Sequence, residues 1–147
     1  AIFLPGGYPE LHAGRLAANR RFLDGLRTAA GRGALLYGEC GGYMVLGQSL
    51  IDASGHGHSM AGLLPVSTSF AAPKLSLGYR RMRHAGALPF PTALRGHEFH
   101  YSTLLNQGAA EPLFEVQDAA GAGLGTAGLR LGRVMGSYLH VIDGAED

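Results

Sequence analysis

The chain opens on an apolar run, Ile2 to Leu4, that stops at Pro5-Gly6-Gly7, the pattern of a short strand entering a turn. From Glu10 to Gly33, apolar residues recur at Leu11, Leu16, Leu23, Leu26 and Ala30, with Arg15, Arg20, Arg21 and Arg27 between them. That spacing predicts a helix, and Gly31 and Gly33 suit its end. Ala34 to Tyr37 is short, apolar and bounded by glycines, which predicts a buried strand of a parallel sheet. Strand, crossover helix and strand within the first forty residues make a βαβ unit. Tyr43, Met44, Leu46 and Leu50 then fit a second helix.

Beyond about Ile51 the period changes from helical to alternating. "ASGHGHSMAG" reads as a turn-rich loop, whereas "KLSLGYRRMRH" alternates Leu75, Leu77 and Tyr79 with polar neighbours, as a half-buried strand does. "GHEFHYSTL", "LFEVQ" and "RVMGSYLHV" predict further strands. "AAGAGLGTAG", residues 119–128, reads as a tight or mobile loop. The prediction is one α/β domain with a mainly β second half.

Composition narrows the function classes. The 147 residues suit one domain. A formal net charge of +1 gives no electrostatic bias toward nucleic acid or anionic membranes. No apolar run has the length of a membrane span. The lone cysteine excludes an internal disulfide and, with no leader-like segment, gives the expectation of a reducing, cytoplasmic setting.

That cysteine sits in Gly38-Glu39-Cys40-Gly41-Gly42, the G-x-nucleophile-x-G form of a strand-to-helix elbow. Flanking glycines allow a sharp turn, and the following helix N-terminus is expected to stabilise a thiolate and lower its pKa. The alternative is a buried packing cysteine. A thiolate acting on an acyl group needs a base and an oxyanion hole. His140, at the end of "RVMGSYLH", is delivered by a strand to the same sheet edge as Cys40, although a strand-terminal histidine also serves as a plain cap. Gly6 and Gly7, with the N–H of Gly41, are candidate oxyanion donors. "GHGH" (55–58) and "HEFH" (97–100) carry histidine pairs without supporting thiols or carboxylate sets, so no metal is expected. The phosphate-binding pattern G-x-x-x-x-G-K-[ST] is absent.

"LPGGYPELHA", "GECGGYMVLG", "LGYR", "RGHEFHYS" and "GSYLH" occur in this order across nearly the whole chain. Together they resemble the glutaminase domain of the cobyrinic and hydrogenobyrinic acid a,c-diamide synthases, within the class I glutamine amidotransferases. The resemblance implies a flavodoxin-like, three-layer α/β/α domain, with Cys40 as nucleophile, His140 as base, and Gly7 and Gly41 as oxyanion donors. It also implies Glu98, Phe99, His100 and Tyr101 as substrate-site candidates. Glutamine would be the substrate, and the ammonia released would amidate the a and c carboxylates of a corrinoid. ATP and Mg²⁺ would bind in a preceding P-loop synthetase domain, with no cofactor in this one.

Three features depart from the pattern. The glutamate that often follows the histidine by two residues is Ile142, so another group, with Glu98 a candidate, orients the imidazole, or the site is a Cys-His pair. The glutamine-contacting Gln four residues after the nucleophile is Met44. An initial strand and helix, and the ATP-binding domain, are expected ahead of "AIFLPGG"; without them the chain is expected to have weak or absent activity, and its open sheet edge makes a homodimer possible. The glutaminase of cobyric acid synthase, another cysteine hydrolase of this architecture and a non-catalytic docking module are the competing readings.

Overall fold

The computed structural model describes residues 1–145. β1 (Ile2–Leu4) leads through a 3-10 turn at Pro9–His12 into α1 (Ala13–Ala18) and α2 (Arg20–Gly31). The single predicted helix is thus broken at Asn19. This residue leaves helical geometry (φ −81°, ψ 72°), and its side-chain oxygen accepts the Phe22 amide at 3.1 Å, capping α2. α2 buries Leu23 and Leu26 and turns its arginines outward.

β2 (Leu36–Glu39) runs two residues past the predicted strand and lies parallel to β1, with Phe3 opposite Tyr37. α3 (Gly41–Leu46) follows at once. It stops four residues short of the predicted helix because β3 (Ser49–Ile51) takes Leu50 into a second sheet. That sheet has the order β4-β3-β5-β8, with β4 (Gly57–Ser59), β5 (Val66–Ser69) and β8 (Thr103–Gln107). The "GHGH" segment is therefore part strand, and His58 and Asp52 bond at 2.8 Å. Among the described residues no three His, Cys, Asp or Glu side chains gather in a form that could hold a metal.

The larger sheet adds β6 (Ser76–Arg83), β7 (Ala93–His100), β9 (Glu111–Asp118), β10 (Gly123–Leu131), β11 (Val134–Ser137) and β12 (Leu139–Gly144). Its order is β1-β2-β11-β10-β9-β6-β7-β12. β11 is parallel to β2, whereas the strands from β10 to β12 pair antiparallel. Two expectations are corrected here. The segment expected to be a loop at 119–128 contributes residues 123–128 to β10, and the single strand predicted over "RVMGSYLHV" is two strands that break at Tyr138.

Leu36 and Val134 pack with α2 and α3 in one apolar core, while their neighbours Tyr37 and Met135 lie in another with Phe114 and Leu139. Alternate residues of β2 and β11 are thus buried on opposite faces, the two-sided burial of central parallel strands. All three helices lie on the first face; strands and the loop carrying Leu88 cover the second. Among the described residues, no helix is long and apolar enough to cross a membrane.

Candidate active site

The end of β2 delivers Cys40 into a backbone conformation that side chains resist. Its φ of 48° and ψ of −106° make it the one non-glycine with positive φ among the described residues, at a cost of roughly 1–3 kcal/mol. Surrounding bonds hold it there. The Cys40 amide donates to Ser137 O at 2.8 Å, and Cys40 O accepts the Met44 amide at 3.1 Å to start α3. The neighbouring glycines are required by close approach. A β-carbon on Gly38 would lie 2.7 Å from the Gly42 carbonyl carbon, and one on Gly41 would lie 2.9 Å from the Gly7 nitrogen.

His140 reaches the same place by topology. β11 runs parallel beside β2 with Ser137 opposite Glu39, so whatever follows β11 emerges at the end where Cys40 sits. The chain turns at Tyr138 into β12, and the imidazole lies over Gly6. A β-carbon there would be 2.6 Å from His140 Cε1 and 3.7 Å from Cys40 Cβ. Thiol and imidazole therefore share one small space beside the first turn. Cys40 is buried, 7 % exposed as a residue, and its sulfur contacts the Phe99 carbonyl at 3.8 Å.

The expected lowering of the Cys40 pKa does not hold. Burial pushes the thiol up, and the negative charges of Glu10 and Glu39 push it further; the Gly41 amide offsets these only in part. A short helix N-terminus is outweighed by desolvation and two carboxylates. The resting group is a neutral thiol that needs a base to remove its proton.

Glu98 is not the group that orients that base. In the β7–β12 register His140 pairs with His97 and Leu139 with Glu98, so Glu98 and His140 project to opposite faces. The Glu98 carboxylate is held by His100 Nε2 at 2.8 Å and by Arg80 at 2.8 Å, and these partners, His100 foremost, lower its pKa from the ordinary carboxylate value. The carboxylate beside His140 is Glu39, with Oε1 4.0 Å from Nδ1. The sequence reading does not single out Glu39; the signal available is an acidic residue between the predicted strand and the cysteine, inside the glycine-flanked elbow.

The four substrate-site candidates divide between the two faces. Phe99 and Tyr101 are exposed, form a row of ring contacts with His97 and Tyr79 in which only His97 and Phe99 stack face to face, and lie on the His140 face. Glu98 and His100 line a cavity of about 380 Å³ on the other side, where His100 stacks on Tyr138 at 3.8 Å. Gly7 and Gly41 lie against each other beside Cys40. Met44 is buried in the core and touches the Ser102 hydroxyl, while Ile142 is exposed.

The sequence places Gly6 in a turn and among the candidate oxyanion donors; in the structure its missing side chain is what gives the imidazole room. Gly6→Ala forces the ring aside, and because the clash is with the far end of a side chain, the fold survives. A displacement of about 1 Å costs about 100-fold in rate. Alkylation of Cys40 by a glutamine-analogue electrophile should fall by that factor with an unchanged melting temperature.

The family model for the CobB/CobQ-like glutamine amidotransferase domain matches residues 1–147. The chain belongs to this family. It is 58% identical over 143 residues to a hydrogenobyrinate a,c-diamide synthase of Brucella anthropi, covering 97% of this chain and 33% of the relative. A Rhizobium meliloti protein of the same name is 53% identical over 146 residues, covering 99% of this chain and 34% of the relative. The chain thus spans about a third of the length of these relatives. In structure it is similar to a glutamine amidotransferase (TM-score 0.61, 18% identity, 94% of this chain and 68% of the other). It is also similar to the Thermotoga maritima PurLQS structure (TM-score 0.60, 18% identity, 95% of this chain and 67% of the other). The fold is the flavodoxin-like α/β fold of class I glutamine amidotransferases.

Proposed function

We propose that this domain hydrolyses glutamine through a Cys40 thioester and supplies ammonia for amidating the a and c carboxylates of hydrogenobyrinic or cobyrinic acid. The observation that carries the chemistry is the shared space over Gly6, where the buried Cys40 on its strained turn and the His140 imidazole both come within 4 Å of one point. His140 takes the thiol proton as sulfur attacks the side-chain amide carbon of glutamine. The oxygen that becomes negative is held by the Gly41 and Gly7 amides. His140 returns the proton to nitrogen, the C–N bond breaks, and ammonia leaves. Water, deprotonated by the same imidazole, then attacks the thioester and releases glutamate with the thiol restored. The raised thiol pKa fits this order, because deprotonation coincides with attack.

The corrinoid acceptor is supported by the name shared by relatives at 53–58% identity, which favours the diamide synthase over the cobyric acid synthase reading. ATP and Mg²⁺ would act in the part of such enzymes that lies outside the matched third, activating each carboxylate for attack by ammonia. A cytoplasmic setting accords with a free thiol at the centre of the chemistry. The test is a chimera in which this chain replaces the matching third of the Brucella anthropi relative. It should form glutamate from glutamine and amidate hydrogenobyrinic acid with ATP; glutamate without amide would reject the acceptor, and neither product would reject the reading.

A further inference from the structure

Glu39 stands in an arrangement that its position in β2 does not require. Its carboxylate is buried, with 8 % of the residue exposed. One oxygen, Oε2, is fastened twice, accepting the Val141 amide at 2.9 Å and the Tyr37 hydroxyl at 3.1 Å. The other, Oε1, is directed at His140 Nδ1, 4.0 Å away. Val141 is the residue after His140, so a single carboxylate grips the backbone of β12 and faces the ring that β12 carries. Burial and the Glu39 charge push the Tyr37 phenol far above its ordinary pKa, so it remains a donor to Oε2 throughout the working pH range.

We propose that Glu39 is the positioning residue for His140, holding the imidazole with its proton on Nδ1 so that Nε2 exchanges a proton with Cys40. This rests on the glutaminase reading of the site and replaces the missing glutamate after His140 with one that precedes the nucleophile. A carboxylate in this role fixes the tautomer and steadies the imidazolium that forms during attack. The 4.0 Å separation exceeds a hydrogen bond, and such contacts tighten when substrate is bound. The same negative charge disfavours a bare thiolate, so it suits proton transfer during attack over a preformed thiolate. Other groups facing the pair do not supply this. Glu10 acts on the thiol through its charge, His97 of β7 lies opposite His140 in the β7–β12 pairing and packs against Tyr79, and Glu98 is committed to Arg80 and His100.

The test reads the tautomer directly. This chain is labelled with ¹⁵N-histidine, His140 is assigned from the signal lost in His140→Gln, and the ring nitrogens are compared among wild type, Glu39→Gln, Glu39→Asp and Tyr37→Phe. The expected result is an Nδ1–H ring in wild type, a mixed or inverted tautomer in Glu39→Gln, recovery of Nδ1–H in Glu39→Asp, and a partial shift in Tyr37→Phe, which loosens Oε2 but keeps the charge. In parallel, alkylation of Cys40 by 6-diazo-5-oxo-norleucine, in which the thiol proton passes to the diazo carbon, sulfur bonds to that carbon and N₂ leaves, should fall about 100-fold in Glu39→Gln and recover at least tenfold in Glu39→Asp, a smaller loss than the ~10⁴ of a fully engaged triad carboxylate. An unchanged His140 tautomer in Glu39→Gln overturns the proposal, whatever the labelling rate. A shifted tautomer with no labelling of the wild type leaves Glu39 as the orienting group and counts against the glutaminase reading instead. Because Tyr37→Phe keeps the carboxylate and its backbone anchor, it reports even if Glu39→Gln fails to fold.

Discussion

Cys40→Ala abolishes glutamine hydrolysis in the chimera, with a loss of about 10⁴-fold or more. The magnitude follows from the role: without the sulfur there is no thioester, and the imidazole and oxyanion donors have nothing to activate. A packing cysteine on the same turn would change stability and leave turnover in place, so the substitution separates the two readings of this residue. The backbone supplies a second signature. Residue 40 holds φ at 48°, a region where alanine is strained and glycine is at ease. Cys40→Gly is therefore as inactive as Cys40→Ala and more stable than it by about 1 kcal/mol. The pair tests whether strain is held in place at the nucleophile by the Ser137 and Met44 hydrogen bonds, because a relaxed turn would give the two variants the same stability.

Gly42→Ala is the substitution with the largest expected effect on the fold. A β-carbon there overlaps the carbonyl oxygen of Leu4 and lies 2.7 Å from the Leu4 carbonyl carbon. These are backbone atoms of β1, which cannot step aside as a side chain can. α3 must move away from the sheet, at a cost of about 3 kcal/mol, lowering the melting temperature by about 10 °C for a chain of this size. Urea unfolding with an unchanged slope and an earlier midpoint would show the loss. A midpoint equal to wild type would mean that α3 does not rest on β1 as closely as described.

The elbow is legible in the sequence because it depends on local rules, and the arrival of His140 beside it only as far as a strand parallel to β2 ends at the same edge. Glycines at 38, 41 and 42 signal a close-packed turn around Cys40, and an apolar run ending in His140 becomes the β11–β12 path that brings the imidazole alongside. Other features turn on tertiary pairing. The break at Tyr138 could not be read from an unbroken alternating run. β10 begins in a Gly/Ala stretch that forms strand only because β9 lies beside it. The thiol pKa was misjudged in direction because the helix N-terminus is visible in sequence, whereas the burial of Cys40 and the nearness of Glu10 and Glu39 are not. Glu98 was a reasonable candidate to orient His140 until register placed it on the opposite face. Glu39 is adjacent to Cys40 in sequence, yet its link to His140 exists only because β12 returns across the end of β2 and offers the Val141 amide.

The central claim is that the Cys40 thiol attacks a glutamine side chain with the help of the His140 imidazole. Incubation of this chain with 6-diazo-5-oxo-L-norleucine, followed by peptide mass mapping, addresses it at a single atom. The account predicts one adduct, on the Cys40 sulfur, that glutamine suppresses and that His140→Ala slows by at least about 100-fold. Labelling that is indifferent to glutamine and to His140, or none at all while the thiol still reacts with a simple alkylating agent, would contradict it.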